Sequence, residues 1–164
     1  MNWNAIATEL NEKFNTHIQV IVPEYLTDEI LNWYHQIDQT AFRKELQYSD
    51  EELKERWNKP NKQLIFLVDE TGPLAVHLGY DLEKDSDTYY IDTLASKVEG
   101  KGIGSILTNH VKDYAKQEDY SELQLDTEAV NERGVPLEHF YEKNGFRIFH
   151  NDPNGNLTMK LKIK

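Results

Sequence analysis

The chain has no cysteine among its 164 residues. This absence excludes disulfide bonds, thiolate metal sites and a cysteine nucleophile. No hydrophobic run is long enough for a membrane span, and the start Met1–Asn4 lacks the basic residues typical of a signal peptide. Basic residues are outnumbered, since 18 Lys and Arg stand against 29 Asp and Glu, which gives a formal net charge of −11. We therefore expect a cytoplasmic protein that binds neither nucleic acid nor membranes and whose partner is cationic.

Two common kinds of catalytic site are also missing from the sequence. The six histidines do not occur at the spacing of a metal-binding motif such as H-E-x-x-H, and no serine occurs in G-x-S-x-G. We therefore expect no metal site and no serine hydrolase. The composition, 38% hydrophobic and 29% charged, is that of an ordinary globular protein, and the length suits one domain over residues 1–164.

The spacing of apolar residues predicts the element order α-β-α-α-β-β-β-α-β-α-β-β. The first helix has an apolar stripe, Trp3, Ile6, Leu10 and Phe14, which we expect to pack on the core. A meander of antiparallel strands followed by β-α-β units implies an α/β (α+β) fold. We expect a mixed, mainly antiparallel central sheet of about seven strands with helices on both faces.

Three glycines within five residues, Gly100, Gly102 and Gly104, separate a predicted strand from an amphipathic helix. The first turn of that helix has no acidic residue, so its unpaired N–H groups favour an anion, most often phosphate. The dinucleotide pattern G-x-G-x-x-G does not fit, because its third glycine would fall on Ser105 or Leu107. The P-loop pattern fails as well, because the lysine precedes its glycine.

The glycine-rich run resembles the acyl-CoA loop of the GCN5-related N-acetyltransferases (the GNAT family), [Gln/Arg]-x-x-Gly-x-[Gly/Ala]. Here the run is Glu99-Gly100-Lys101-Gly102-Ile103-Gly104, with Glu99 where Gln or Arg is usual. A second run, from Asn131 to Phe140-Tyr141 and on to Gly145-Phe146, resembles the Asn…Phe-Tyr-x-x-x-Gly-Phe segment of the same family. The resemblance implies the acyl-CoA N-acyltransferase fold, here with an extra N-terminal helix.

The resemblance also implies a site for acetyl-CoA. The segment before the loop lies beside the thioester and pantetheine, the backbone of the loop holds the pyrophosphate, and two later residues complete the site. These residues are Leu94, Ala95 and Ser96, then Glu99, Gly100, Lys101, Gly102, Ile103, Gly104 and Ser105, and finally Asn131 and Tyr141.

Two residues are candidates for catalysis. Tyr141 matches the tyrosine that contacts the CoA sulfur in this family and can act as general acid, although a core aromatic is the alternative. Asp92 is the candidate base, although an exposed face or an arginine partner would also explain a carboxylate in this strand. Simple alternation places Tyr90, Asp92 and Leu94 on one face of the strand. Asp126 and Glu128 on the next predicted strand are weaker candidates, because a solvated face is favoured for both.

The resemblance implies an N-acetyltransferase that moves an acetyl group from acetyl-CoA to a primary amine by direct attack in a ternary complex. The acceptor is expected to be a small-molecule or peptide amine, and the protein a monomer or homodimer. Two alternatives stay open at this point. One is a non-catalytic acyl-CoA-binding module, and the other is an acyltransferase for a longer acyl-CoA.

Overall fold

A computed structural model describes residues 3–84, 86–98, 102–128 and 137–164 of the chain. Within these ranges, helices and strands follow one another in the predicted order. The helices are α1 (Asn4–Phe14), α2 (Asp28–Ala41), α3 (Asp50–Trp57), α4 (Ile103–Gln117) and α5 (Leu137–Lys143). The strands are β1 (Gln19–Ile21), β2 (Gln63–Asp69), β3 (Gly72–Asp81), β4 (Thr88–Ser96), β5 (Glu122–Glu128), β6 (Arg147–Asn151) and β7 (Asn156–Lys162).

The described strands form one seven-stranded sheet with the order β1-β2-β3-β4-β5-β7-β6. Strands β4 and β5 run parallel, and every other neighbouring pair is antiparallel. The predicted fold class, a mixed and mainly antiparallel sheet of about seven strands, is therefore confirmed. The parallel pair lies at the centre of the sheet, where α4 connects the two strands across one face.

Buried apolar side chains form two cores in the described part of the chain, one on each face of the sheet. The α4-side core joins α1, α4 and α5 to the sheet and includes Ile6, Leu10, Tyr89, Ile91, Leu107, Leu123, Leu125, Phe146 and Met159. The α2-side core joins α2 and α3 to the sheet and includes Ile30, Tyr34, Ile37, Leu53, Phe66, Val76, Leu78, Tyr80 and Ala95. Helices thus cover both faces, as predicted.

The extra N-terminal helix packs on the α4-side core. Ile6 and Leu10 are fully buried, and the indole of Trp3 stacks on the ring of Tyr114 with their centroids 4.9 Å apart. None of the helices in the described ranges is both long and apolar enough to cross a membrane.

Helix α3 begins at a capping box that fixes where its later residues lie. The Ser49 hydroxyl accepts a hydrogen bond from the Glu52 backbone N–H, and the Glu52 carboxylate accepts one from the Ser49 backbone N–H. Such reciprocal caps satisfy two N–H groups that the first turn would otherwise leave unpaired. The cap sets the register of the short helix, which carries Arg56 towards β4.

Gly79 in β3 is required by the close approach of a tyrosine from β4. A Cβ atom at this position would lie 2.2 Å from the Tyr89 hydroxyl oxygen, far inside van der Waals contact. The space allows the Tyr89 hydroxyl to reach the ring of buried His77, 2.7 Å away. The pair ties β3 to β4 inside the α4-side core.

Candidate active site

The central parallel pair of strands separates partway along its length. Residues Thr88–Ile91 of β4 pair with Glu122–Leu125 of β5, but β4 continues to Ser96 and β5 to Glu128 without further mutual pairing among the described residues. The two strands therefore form a fork. Backbone groups beyond it are free of the β4–β5 ladder and can bond a ligand instead.

The fork opens into a cleft of about 1190 Å³. One side of the cleft is formed by the first turn of α4 together with Leu137, Phe140 and Tyr141 of α5. The other side is formed by aromatic residues from α2, from the segment between α2 and α3, and from β4. These aromatic residues are Tyr34, Phe42, Tyr48 and Tyr90.

The start of α4 has the features of an anion site. Gly102, at the N-cap, has a φ of 76° and supplies no side-chain cap, and the first turn contains no acidic residue. The N–H groups of the first turn therefore point out of the helix end with no side-chain acceptor among the described residues, and the helix dipole favours negative charge there. Gly104 and Ser105, in the same turn, line the cleft.

Most of the predicted site residues come together in this cleft. Among its lining residues are Asp92, Leu94, Ala95, Ser96, Gly102, Ile103, Gly104, Ser105 and Tyr141. The remaining predicted residues, Glu99, Gly100, Lys101 and Asn131, lie outside the described residues.

A β-bulge at Asp92 reverses the side-chain alternation of β4. Leu78 of β3 pairs with Thr93, whereas Gly79 pairs with Ile91, so Asp92 has no partner on β3. An extra residue in one strand shifts every following side chain to the opposite face.

The predicted alternation, with Tyr90, Asp92 and Leu94 on one face, is therefore wrong beyond the bulge. Tyr90 packs against the α2-side core, but Leu94 packs against the α4-side core. Ala95 is part of the α2-side core, while Ile91, before the bulge, is part of the α4-side core. The bulge thus directs Leu94 towards α4 at the point where the fork opens.

The carboxylate of Asp92 is enclosed by hydrogen-bond donors. One oxygen accepts from the hydroxyls of Tyr48 at 2.7 Å and Thr93 at 3.0 Å. The other accepts from Arg56 Nε at 3.0 Å and from the hydroxyl of Tyr80. The Asp92 side chain is 2% exposed, so its charge is both buried and paired. An arginine partner had been one of the alternatives left open by the sequence.

Tyr141 projects from α5 into the cleft while its ring packs in the α4-side core. The ring contacts Phe140 and Phe146 edge to face, with centroids 5.1 Å and 5.8 Å away. Burial raises the pKa of its phenol to about 12. Because desolvation disfavours the phenolate, the hydroxyl keeps its proton at neutral pH and is available as a donor.

Sequence reasoning missed most of the wall opposite α4. Tyr34, Phe42 and Tyr48 line it, although the spacing along α2 indicates only that Tyr34 lies on an apolar face. Asp126 and Glu128, for which a solvated strand face was favoured, also line the cleft. The alternation of β5 was the available signal, because it places both carboxylates on the face opposite Leu125.

Three solved structures of low sequence identity share this fold. The ribosomal-protein-S18-alanine N-acetyltransferase from Escherichia coli is 18% identical, with a TM-score of 0.67 over 90% of this chain and 94% of its own. A GNAT family acetyltransferase from Elizabethkingia anophelis with acetyl-CoA bound is 19% identical, with a TM-score of 0.65 over 89% and 98%. The aminoglycoside 6'-N-acetyltransferase from Enterococcus faecium is 17% identical, with a TM-score of 0.67 over 88% and 97%.

A search among curated proteins found no match. The family model described as the acetyltransferase (GNAT) family matches residues 27–146, a span that runs from the N-cap of α2 to the residue before β6. This span includes the fork, the start of α4 and Tyr141. The chain therefore belongs to the GNAT acetyltransferase family.

Proposed function

We propose that the chain is an N-acetyltransferase that moves the acetyl group of acetyl-CoA to a primary amine by direct attack in a ternary complex. The observation that carries the proposal is that the fork, the uncapped start of α4 and the phenol of Tyr141 all open into one cleft. N-acetylation is the activity named for the E. coli and E. faecium neighbours, and the E. anophelis neighbour contains acetyl-CoA.

The cleft offers suitable contacts for each part of acetyl-CoA. The N–H groups at the start of α4 would bond the pyrophosphate, together with the predicted loop that precedes them. Leu137 and Phe140 would supply apolar contacts for the pantetheine. The predicted segment of Leu94, Ala95 and Ser96 has left the β5 ladder, so its backbone can bond the thioester carbonyl.

Chemistry at this position needs a donor for the developing oxyanion and a proton for the departing thiolate. A backbone N–H in the Leu94–Ser96 segment would donate to the carbonyl oxygen as the amine nitrogen forms its bond to the carbonyl carbon. Tyr141 would give its proton to the sulfur as the carbon–sulfur bond breaks. The chain has no cysteine that could carry an acyl group, which agrees with direct attack.

Asp92 stays the predicted base that accepts the proton of the amine. Both of its oxygens already accept hydrogen bonds, and two of the donors are the hydroxyls of Tyr48 and Thr93, which also line the cleft. A proton would therefore reach Asp92 by way of one of these hydroxyls rather than directly from the amine.

A thermal melt with and without acetyl-CoA tests the binding half of the proposal. Acetyl-CoA at about one hundred times its dissociation constant should add roughly 2.7 kcal/mol to the free energy of unfolding and raise Tm clearly. An unchanged Tm at millimolar acetyl-CoA would refute the proposal, because neither the enzyme nor the binding module could then use this cleft.

The variant Tyr141→Phe tests the chemical half. We expect kcat to fall about 100-fold or more, because the general acid is lost, while the Kd of acetyl-CoA stays the same. Tyr114→Phe is the matched control, since burial also raises the pKa of Tyr114 to about 12 but its side chain lies on α4 outside the cleft lining. A protein that binds acetyl-CoA but releases no thiol with any amine would be a binding module instead.

A further inference from the structure

The lining of the cleft is strongly negative. Four carboxylates line it, from Asp92, Asp126, Glu128 and Asp152, and no Lys or Arg occurs among the described lining residues. A cleft lined by one sign of charge attracts ligands of the opposite sign. The four carboxylates nevertheless differ in what already binds them, and this difference is informative.

Two of the four carboxylates are paired with arginine side chains. Arg56 pairs with Asp92. Arg43, which follows α2, pairs with Glu128 at the end of β5. The carboxylate of Asp152 accepts a hydrogen bond from the backbone N–H of Asn154 at 2.6 Å and so caps its own turn. Asp92 and Glu128 thus have cationic partners within the chain, whereas Asp152 is held by a neutral N–H in the turn between β6 and β7.

Asp126 differs from Asp92 and Glu128, because its partners within the described residues are neutral hydroxyls and not arginines. Its side chain is exposed in the cleft, one oxygen accepts from the hydroxyl of Tyr90 at 2.7 Å, and the other accepts from the hydroxyl of Thr158 at 2.6 Å. A carboxylate has about four acceptor sites, so each oxygen keeps room for another donor. The two hydroxyls hold the carboxylate in one orientation without cancelling its charge.

The position of Asp126 separates it from the expected point of reaction. It follows Leu125, which pairs with Ile91 as the last residue of β5 in the β4–β5 ladder, and so lies just beyond the apex of the fork. Leu94 and Ala95, the predicted neighbours of the thioester, lie three and four residues beyond Ile91 along β4. Asp126 is one residue beyond Leu125, the partner of Ile91, so Leu94 and Ala95 lie two and three residues further along the strand direction. At about 3.3 Å per residue, this is a separation of about 7–10 Å.

A carboxylate at this separation suits a nitrogen that does not react. It stabilises the protonated form of an amine, and a protonated amine has no lone pair for attack. A substrate with a single amine held at Asp126 would thus be kept charged and away from the thioester. A substrate with two amines can leave one charged at Asp126 while the other, deprotonated, reaches the thioester.

We propose that the acceptor is an aliphatic diamine or polyamine whose non-reacting ammonium group is bound by Asp126, which makes Asp126 a specificity-determining residue of the acetyl transfer. The inference rests on the proposed function. The rings of Tyr34, Tyr48 and Phe42 along the cleft supply apolar surface for the methylene chain between the two nitrogens and π faces for its charge.

The test compares two acceptors that differ only at the far end, 1,8-diaminooctane and 8-amino-1-octanol. Their acetylation is measured as the release of thiol from acetyl-CoA. In the natural protein, we expect KM for the diamine to be about tenfold or more below KM for the amino alcohol, since a charge-assisted hydrogen bond is added. In Asp126→Asn, KM for the diamine should rise about tenfold, with kcat unchanged. KM for the amino alcohol should not move.

Glu122→Gln is the matched control, because Glu122 is an acidic residue of the same strand whose side chain pairs with Lys160 and lies outside the cleft lining. It should leave both KM values unchanged. Calorimetry of diaminooctane binding to the protein saturated with CoA gives a second readout that does not need turnover. Asp126→Asn should weaken this binding by the same factor.

Equal KM values for the two acceptors, or an equal rise in both KM values on Asp126→Asn, would overturn the diamine proposal. So would a protein that binds acetyl-CoA but neither binds nor acetylates diaminooctane. A folded protein that fails to bind acetyl-CoA would instead overturn the proposed function itself, so the two failures are distinguishable.

Discussion

At the scale of single residues, Asp92 is the position where environment matters most. Asp92 forms the bulge of β4. Its buried carboxylate binds Arg56 and three hydroxyls. Removing one partner of a buried ion pair leaves the other charge without compensation. This destabilises a protein more than replacing both partners by apolar residues does. Asp92 is therefore expected to contribute to stability whether or not it accepts a proton.

The variant Asp92→Asn is expected to lower the free energy of unfolding by about 2–3 kcal/mol, measured by urea denaturation. Broken buried pairs cost more than this, but the Arg56 side chain is 21% exposed and can regain some solvent. The asparagine also presents an NH2 group to donors that need an acceptor.

Asp126→Asn is a useful comparison, since the same substitution at an exposed carboxylate should change stability by less than about 0.5 kcal/mol. Equal stability of Asp92→Asn and the natural protein would mean that the pair with Arg56 does not form in solution. An unchanged kcat at neutral pH in folded Asp92→Asn would separately exclude Asp92 as the base.

The residue scale is also where the sequence was least informative. Alternation predicted that Leu94 shares a face with Asp92, and the bulge makes this wrong beyond Ile91. A bulge depends on how one strand pairs with its neighbour, and the order of apolar residues in a single strand does not contain that information. The arginine that pairs with Asp92 likewise comes from α3, distant in sequence.

At the scale of elements, the first turn of α4 lacks the residue type that would best stabilise the helix. An acidic residue in the first turn would stabilise the helix through its dipole, yet the turn contains none. The absence is understandable if an anion binds there. The sequence alone predicted this feature, because both the glycines and the missing acids are local.

The variant Ser105→Glu is expected to change stability and affinity in opposite directions. Ser105 is exposed in the first turn of α4, so a carboxylate there should raise the free energy of unfolding by about 0.3–1 kcal/mol. The same carboxylate should weaken acetyl-CoA binding about tenfold, because it repels the pyrophosphate. Denaturation and a binding titration measure the two effects.

The glutamine of Ser105→Gln has nearly the same shape as the glutamate of Ser105→Glu but no charge. This variant should change neither the free energy of unfolding nor the affinity for acetyl-CoA. If the glutamate and glutamine variants bound acetyl-CoA equally well, the pyrophosphate would not lie at the start of α4. The salt dependence of the difference gives a further check, since repulsion between exposed charges weakens as ionic strength rises.

The order of the elements could be predicted, but the fork could not. Helix and strand periods are written in the local spacing of apolar residues, and these gave the number and sequence of the elements. The pairing of β4 with β5 ends at Ile91, next to the bulge at Asp92, and a bulge depends on how neighbouring strands pair. The aromatic wall of the cleft depends in addition on how α2 and α3 pack over β3 and β4.

At the scale of the whole molecule, the sheet separates two cores, and His77 is a polar residue buried within the α4-side core region. Its Nδ1 lies 3.0 Å from the Thr93 carbonyl oxygen, which can only accept, so Nδ1 carries the proton. Its Nε2 must then accept from the Tyr89 hydroxyl. The neutral ring is thus fully satisfied, and a second proton would add a charge in the core and remove the acceptor.

Burial lowers the pKa of His77 to about 4, well below the ordinary value of 6.5, although the bond to the Thr93 carbonyl opposes the shift. Because the folded pKa is the lower one, the unfolded chain binds the proton more readily between these values. The free energy of unfolding should therefore fall as pH drops below about 6.5, with a loss from His77 of about 2 kcal/mol by pH 5 and about 3 kcal/mol below pH 4.

Urea denaturation at pH 7 and pH 5 measures this loss when the natural protein is compared with two variants. His77→Gln removes the titrating group and should show a smaller fall in the free energy of unfolding between the two pH values. His17→Gln makes the same change at an exposed position and should keep the full fall.

Burial raises the pKa of Asp38, which changes the free energy of unfolding in the opposite sense as pH falls. Asp38 is present in all three proteins, so its effect cancels when they are compared. Equal falls in His77→Gln and His17→Gln would show that His77 is not buried in the neutral form and that the contact between β3 and β4 differs in solution.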